Sequence, residues 1–283
     1  AAAGNSSRSI LTSLLGRVFY SYYNRYLLTA TIRRDGSSKF SKHHRFGNFP
    51  SISIGWNIAD EPFFRNWTEN IAQLKLRTGY GVLGNQEIPN YQYVSLVSTG
   101  INYPDGRGGL IQGAFPKLFA NPDIKWEETA MTNVGIDLIA LNNQLSITAD
   151  WYIKNTKDIL LTVPIPISTG SANDPIRNAG HIYNSGIELN ISCNKQVNKD
   201  FSYQLNLIGT YNKNIVKEMG DEAQTITGGT NFRGVFTTKT LSGYPIGGFW
   251  LIKTDGYFNS QEDIQNYQMN GNLIQPSAEP GLS

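Results

Sequence analysis

The sequence predicts an all-β protein, part of a large antiparallel transmembrane β-barrel with long extracellular loops. Three observations carry that prediction. Long stretches alternate strictly between apolar and polar residues. Several of them run about 10 to 14 residues, against roughly five or six for the average soluble strand. The connections between them are short, then long, then short again. Side chains alternate faces along a strand. Leu145, Ile147, Ala149, Trp151 and Ile153 therefore make one wall, and Ser146, Thr148, Asp150, Tyr152 and Lys154 the other. Repeated along a chain with turns and loops taking turns, this pattern sets lipid outside and water inside. A soluble sandwich also has one apolar face per strand. It stays open as the alternative, a soluble β-rich carbohydrate-binding or adhesin module, but has no reason to put a long loop at every second connection.

The first hairpin runs from Arg17 to Tyr23, turns at Asn24-Arg25 and continues from Tyr26 to Arg34, with Tyr26, Leu28, Ala30 and Ile32 on one face. A polar loop over about 35–50 leads to a strand from Ser51 to Ala59, whose apolar set is Ile52, Ile54, Trp56 and Ile58. After a connection over Glu61–Asn70, Gln73 to Val82 sets Leu74, Leu76, Thr78 and Tyr80 against Lys75, Arg77 and Gly79. Alternation fails from Gly84 to Trp126, where Gly, Pro, Asn and Tyr dominate; a loop that long is usually functional. It resumes over Met131–Ala140, with Val134, Ile136 and Leu138 outward, turns at Asn142-Asn143 and runs on through Gln144–Asp158. A second long loop, 159–179, precedes strands over His181–Asn194 and Phe201–Lys213. Beyond Asn214, in a loop region reaching 247, the pattern weakens, with further strands around Phe232–Thr240 and Gly248–Tyr257. The whole chain reads as a single barrel segment of about 8–10 strands, since weak ends argue for part of a larger barrel.

Composition agrees. The 283 residues include 28 Gly, 15 Tyr, 13 Phe and 5 Trp, and 16% are charged, against about 25% in ordinary soluble domains. Hydrocarbon-facing surface with interfacial aromatic belts requires that balance. No Lys/Arg stripe forms, which excludes a nucleic-acid partner from the reading. The single cysteine, Cys193, leaves no internal disulfide framework and reads as a small apolar filler. No apolar run approaches the roughly 18 residues of a membrane helix. Ala1 to Ser9 lacks a charged region followed by an apolar one, so the chain reads as a fragment without a signal peptide.

Specific runs then resemble the SusC/RagA family of TonB-linked outer-membrane transporters. Tyr26-Leu-Leu-Thr-Ala-Thr-Ile-Arg-Arg-Asp-Gly-Ser-Ser-Lys-Phe40 and Phe49-Pro-Ser-Ile-Ser-Ile-Gly-Trp56 carry the likeness. Leu74-Lys-Leu-Arg-Thr-Gly-Tyr-Gly-Val-Leu-Gly-Asn-Gln86 and Asn121-Pro-Asp-Ile-Lys-Trp-Glu127 continue it in order. So do Asn133-Val-Gly-Ile-Asp137, Lys154-Asn-Thr-Lys-Asp158, Asn184-Ser-Gly-Ile-Glu188, Gly243-Tyr-Pro-Ile-Gly247 and Asp255-Gly-Tyr-Phe258. The resemblance implies a barrel of about 22 strands closed by an N-terminal plug. It implies import of a large nutrient, a glycan oligosaccharide or a peptide. It also implies a SusD-like lipoprotein as lid and a TonB complex that pulls on the plug. Plug, TonB box and barrel C-terminus are absent from this stretch, which marks the chain as the barrel's middle part.

No catalytic constellation emerges, and the reading is a non-enzyme without cofactor. His43 and His44 diverge if extended, His181 reads as a polar lumen or loop residue, and no metal set forms. Glu127 and Glu128, being adjacent on a strand, face opposite sides, so they are no glycosidase pair. Gly106–Gly109 and Gly228–Thr230 do not link a strand to a helix as a phosphate cradle must. Aromatics in long loops are the candidates for contact with substrate or partner, because aromatic faces stack on sugar rings: Tyr91, Tyr93, Tyr103, Phe115, Phe119 and Trp126. Tyr20, Tyr22, Trp56 and Trp151 read as interfacial belt or packing. Arg33, Lys75, Arg77, Asp137, Asp150, Lys154 and Glu188 would cost several kcal/mol each against hydrocarbon, so they are expected to face the lumen and to meet water or the plug.

Overall fold

The computed structural model describes residues 6–67, 70–118, 120–163, 165, 168, 174–220, 225–232, 235–251, 256–269, 272–275 and 277–280. The chain forms two units, Ala1–Ile226 with Thr240–Gly248, and Thr227–Lys239 with Phe249–Ser283.

The first unit is built on one antiparallel sheet. Its strands are β1 (Leu11–Tyr22), β2 (Tyr26–Ser37), β3 (Phe46–Asn57) and β4 (Ile71–Asn85). After a separate hairpin of β5 (Leu96–Pro104) and β6 (Leu110–Leu118), it continues with β7 (Glu127–Ala140), β8 (Leu145–Thr162), β9 (Ile176–Gln196) and β10 (Ser202–Met219). The order β1-β2-β3-β4-β7-β8-β9-β10 follows the chain, so each strand pairs with the one before it once the hairpin is set aside.

Register decides which residues share a face. One row across all eight strands reads Tyr20, Leu28, Ile54, Thr78, Val134, Trp151, Ile187 and Tyr211. The adjacent row reads Ser21, Leu27, Gly55, Arg77, Gly135, Asp150, Glu188 and Thr210. The period of two is thus kept in phase from strand to strand, giving one apolar and one polar face. The apolar face stays open: Ile54 is 49% exposed, Trp151 44% and Leu205 64%. A soluble sandwich would bury that wall under a second sheet; an exposed apolar band of this extent belongs against hydrocarbon. Among the described residues no helix is long and apolar enough to cross a membrane.

Connections differ at the two ends. At one end lie Tyr23–Arg25, Leu141–Gln144 and Val197–Phe201, together with a longer link carrying 3-10 turns at Ile58–Asp60 and Pro62–Trp67. The first two turns are tight because Tyr23, Asn24, Leu141, Asn142 and Asn143 all take positive φ, and asparagine tolerates that region better than most residues. At the opposite end lie the long connections.

Several of these are shorter or more ordered than the sequence suggests. The connection expected over 35–50 spans 38–45, because β2 and β3 stay paired as far as Gly36 and Phe46. The stretch 84–126, expected as irregular, contains β5 and β6, whose bulges at Leu96/Val97 and Thr99/Ile101 interrupt the alternation that would reveal them. The loop expected over 159–179 narrows to 163–175; a bulge around Asp158, at φ 56°, had hidden the last turn of β8 pairing. In the region 214–247, β10 runs on to Met219, and β11 (Ile226–Phe232) and β12 (Val235–Thr240) follow. β1 begins six residues ahead of the expected Arg17, where Leu11–Gly16 mixes apolar and polar positions.

The other unit holds most of a three-stranded sheet, β11-β12-β13 with β13 at Gly248–Phe249. It also holds a one-turn helix α1 (Gln261–Asn266) and a small pair, β14 (Gln268–Met269) and β15 (Asn272–Leu273). Helix α1 starts at a capping box in which Ser260 and Asp263 bond reciprocally.

Candidate functional site

The polar face carries a charge cluster across three strands. Arg77 of β4 donates from Nε to Asp137 of β7 at 2.8 Å and from Nη2 to Asp150 of β8 at 2.7 Å. Strand register sets this up: Gly135 lies directly beside Arg77, and Asp150 directly beyond Gly135. A Cβ at Gly135 would stand 2.8 Å from Cζ of Arg77, so the guanidinium can lie flat across the sheet only because that residue has no side chain. The same device recurs nearby. Asn133 lies over Gly79, and Tyr152 over Gly186, where a Cβ would come within 2.6 and 2.7 Å of their oxygens.

The remaining polar candidates share that face. Lys75 pairs in register with Asp137, Lys154 with Asn184, and Glu188 with Asp150. Lys154 and Glu188 are exposed. Arg33 lies near the long-loop end and bonds Asp35 at 2.8 Å, where Asp35 is 4% exposed.

The long-loop end carries the unit's buried apolar cluster, formed by Phe40, Phe49, Ile88, Ile124 and Trp126. Sequence reasoning did not find the first four of these. Their signal lies in the motifs, since each sits within or beside a run already singled out; Phe40, Ile88 and Ile124 lie outside strands, where no period reveals them, and Phe49 lies at the end of β3 that reads as loop. Trp126, expected among the exposed aromatics, is 4% exposed. Its ring packs on Phe40 and Phe49 with centroids 5.2 and 5.3 Å away, and its Nε1 donates to the Arg45 carbonyl at 3.1 Å. Tyr93 is half-buried against the same cluster. The exposed aromatics are Tyr91, at φ 68°, and Tyr103, while Phe115 on β6 is half-buried. Phe119 lies outside the described residues. These rings are not brought together into one pocket by any contact among the described residues.

The loop Asn121–Trp126 is tied to β9 by side-chain amides. Asn178 accepts from the Lys125 backbone N–H at 3.0 Å and donates to the Lys125 carbonyl at 2.9 Å, imitating one rung of a β-ladder. It also donates to the Asp158 carbonyl at 2.8 Å, and Asn121 donates to the Ile176 carbonyl at 3.0 Å. Lys125 and Asp158 pair at 2.8 Å. The Asn121–Glu127 motif is therefore a clamp that holds loop backbone where no strand partner exists.

At the short-turn end Tyr22, Tyr26 and Trp56 stack in a row, with successive centroids 6.4 and 6.5 Å apart. Trp56 donates to Glu61 at 3.0 Å, and Arg25 pairs with the same carboxylate at 3.4 Å. Bonds from Tyr26 and then Trp56 hold the Glu61 carboxyl below the usual range, against its burial. His181, expected in the lumen or a loop, is on the apolar side, above the apolar rows, bonded to Asn155 at 2.6 Å. Among the described residues no group of three or more His, Cys, Asp or Glu could hold a metal.

Residues 13–277 match the family described as TonB dependent receptor-like, beta-barrel. TonB-dependent receptor P39 of Formosa agariphila is 36% identical over 92% of this chain and 26% of its own length. TonB-dependent receptor SusC of Bacteroides thetaiotaomicron is 34% identical over 94% of this chain and 27% of its own. Among solved structures, the RagAB peptide transporter superposes at a TM-score of 0.73 with 26% identity, covering 84% of this chain and 25% of that one. The chain thus spans about a quarter of the length of the relatives it matches.

Proposed function

We infer, from the fact that this chain belongs to the TonB-dependent receptor β-barrel family in its SusC/RagA branch, that it is the middle part of the barrel of an outer-membrane nutrient importer. The full-length protein would take up a large nutrient, a peptide or an oligosaccharide. A SusD-like surface lipoprotein would cover its mouth, and a TonB complex would act through a plug domain. The chain's part in this is binding and passage, with no bond broken.

The observation that carries the reading is the unbroken phase of the register. Eight strands put one apolar wall outward and one polar wall inward, as a lumen in lipid requires. On the inward wall, Arg77, Asp137 and Asp150 satisfy one another, so they present a fixed polar surface to the plug. Lys75, Lys154 and Glu188 are freer to meet water or the passing nutrient. The clamp at Asn178 and the cluster around Trp126 form a rigid base for the outer loops. Tyr91, Tyr103 and Phe115 are the aromatics that this base would offer to substrate or lid.

Growth of a strain lacking the full-length protein on purified oligosaccharides or peptides as sole nutrient tests the reading. Loss of growth on one class, restored by the intact gene, is expected. Unchanged growth on every class, with the protein known to be expressed, would contradict it.

A further inference from the structure

The connection 38–45 between β2 and β3 reads Ser-Lys-Phe-Ser-Lys-His-His-Arg, with Lys39, Lys42 and Arg45 as permanent cations and no carboxylate. Its backbone is fixed from several sides. Phe40 is fully buried in the apolar cluster. The Ser37 N–H and the Trp126 indole both donate to the Arg45 carbonyl, at 3.0 and 3.1 Å, and the His44 N–H donates to the Ser41 carbonyl at 3.1 Å. Ser41 and Arg45 are thus held at the two ends of one short turn.

Both carry a polar atom that lies inside and unpartnered. Among the described residues, Ser41 Oγ and Arg45 Nε are the buried side-chain polar atoms without a hydrogen bond, and Ser41 is 9% exposed. The half-buried Arg45 guanidinium makes neither a hydrogen bond nor an ion pair with any described residue. Buried polar groups are almost always satisfied, so an exception calls for an explanation. A guanidinium only donates and a hydroxyl is able to donate, so the missing partner of both is an acceptor. The guanidinium fork fits the two oxygens of a carboxylate.

The carboxylates near this turn are committed elsewhere or stand free in water. Asp35 bonds Arg33 at 2.8 Å, Asp123 faces His44 at 3.8 Å, and Glu127 accepts from the Leu160 N–H at 3.1 Å. Glu87 is exposed, and the Gln86 carbonyl before it accepts from Lys39 at 3.4 Å. The turn also lies above the lipid. Along β2 the outward residues are apolar from Leu28 to Ile32 and polar at Arg34, and Ser38 follows four residues later. That is about 13 Å of strand, or about 9 Å of height at a 45° tilt, against roughly 5–8 Å for one headgroup layer.

We propose that Arg45 and Ser41, with Lys42 from the same turn, bind a carboxylate carried by the nutrient, so that the importer selects acidic cargo. The site rests on the import reading above. An incoming carboxylate draws the guanidinium fork toward it, which gives Nε and the Ser41 hydroxyl the acceptor they lack. An acidic peptide and a uronic-acid oligosaccharide both carry that group, and the chemistry at Arg45 is the same for each.

The test is calorimetric titration of the detergent-solubilised full-length protein with two matched pairs: a glutamate against a glutamine tetrapeptide, and a galacturonate against a galactose trimer. The parent should prefer the acidic member of one pair, and that pair identifies the source of the carboxylate. Arg45→Gln should cut the preference about tenfold, the worth of one hydrogen-bonded contact to a charged group, and Ser41→Ala about threefold. Arg45→Lys, which keeps the charge and loses the fork, should fall between the parent and Arg45→Gln. Lys199→Gln, in a turn at the opposite end of the sheet, should change nothing. Heat-modifiable migration shows which variants are folded. A parent that discriminates in neither pair, or a folded Arg45→Gln that discriminates as the parent does, would overturn the site. Where Arg45→Gln does not fold, unchanged preference in both Arg45→Lys and Ser41→Ala would overturn it equally. A parent without any heat-modifiable shift would overturn the import reading instead.

Discussion

Arg77 spans Gly135. From β4 the guanidinium reaches across the glycine on β7 to bond Asp150 on β8 at 2.7 Å, while also holding Asp137 at 2.8 Å. A side chain at Gly135 would lift it off both carboxylates. Gly135→Val should therefore destabilise the folded barrel by about 1–3 kcal/mol, the usual cost of overpacking. The temperature at which the full-length protein loses its compact gel migration should fall accordingly. An unchanged temperature would show that Arg77 has room to move aside.

Asn178 holds the loop Asn121–Trp126 through bonds to both backbone groups of Lys125. Asn178→Ala leaves that N–H and carbonyl to water, at about 0.5–1.5 kcal/mol, because both bonds are exposed. The penalty falls mainly on the loop, with the Asp158 carbonyl near the end of β8 also losing one bond. Limited proteolysis should cut at Asp123–Lys125 faster in the variant, with the barrel's thermal transition unmoved. Equal cutting rates would mean that Asn121 and the Lys125–Asp158 pair suffice.

Trp126 and Tyr91 should separate stability from binding. Trp126→Ala empties the centre of the loop-end cluster and should cost about 3–5 kcal/mol locally. Tyr91 is 45% exposed, so Tyr91→Ala should leave thermal stability nearly unchanged while weakening nutrient binding measured by calorimetry. Binding unaffected by Tyr91→Ala would remove that ring from the candidates.

Glu61 ties pH to the short-turn end. Its carboxyl is held low by bonds from Tyr26 and Trp56, so the charged form is the one that folding favours. The contribution is fully present above the ordinary glutamate value of about 4.3 and is lost as pH falls through the lower folded value. The protection factor of the Ile58–Asp60 amides, with the intrinsic pH dependence of exchange divided out, should fall on acidification across that window in the parent protein and stay constant in Glu61→Gln. Equal pH dependence in both would contradict the assignment.

Much of the fold is legible in the sequence because a strand with lipid on one side and water on the other writes its period plainly. Leu145 to Lys154 could be sorted by face from residue types alone, and the structure keeps that sorting through eight strands. The period vanishes wherever a bulge shifts it, as at Asp158 and in β5, and there the sequence of a strand reads as loop. The partners of Arg77 were unreadable for a different reason: they lie 60 and 73 residues away, and only register brings them together. Trp126 illustrates a third limit. Its type suits a ligand platform and a buried core equally, and the choice depends on Phe40 from the 38–45 connection and Phe49 from β3, both distant in sequence.

The transmembrane barrel itself is open to one direct trial: gel migration of the full-length protein extracted from outer membranes, before and after boiling. A closed barrel resists detergent until heated, so the unboiled protein should run as a compact species and shift on boiling. A protein found in the soluble fraction, with the same mobility in both lanes, would contradict the barrel and with it the placement of every residue on the two faces.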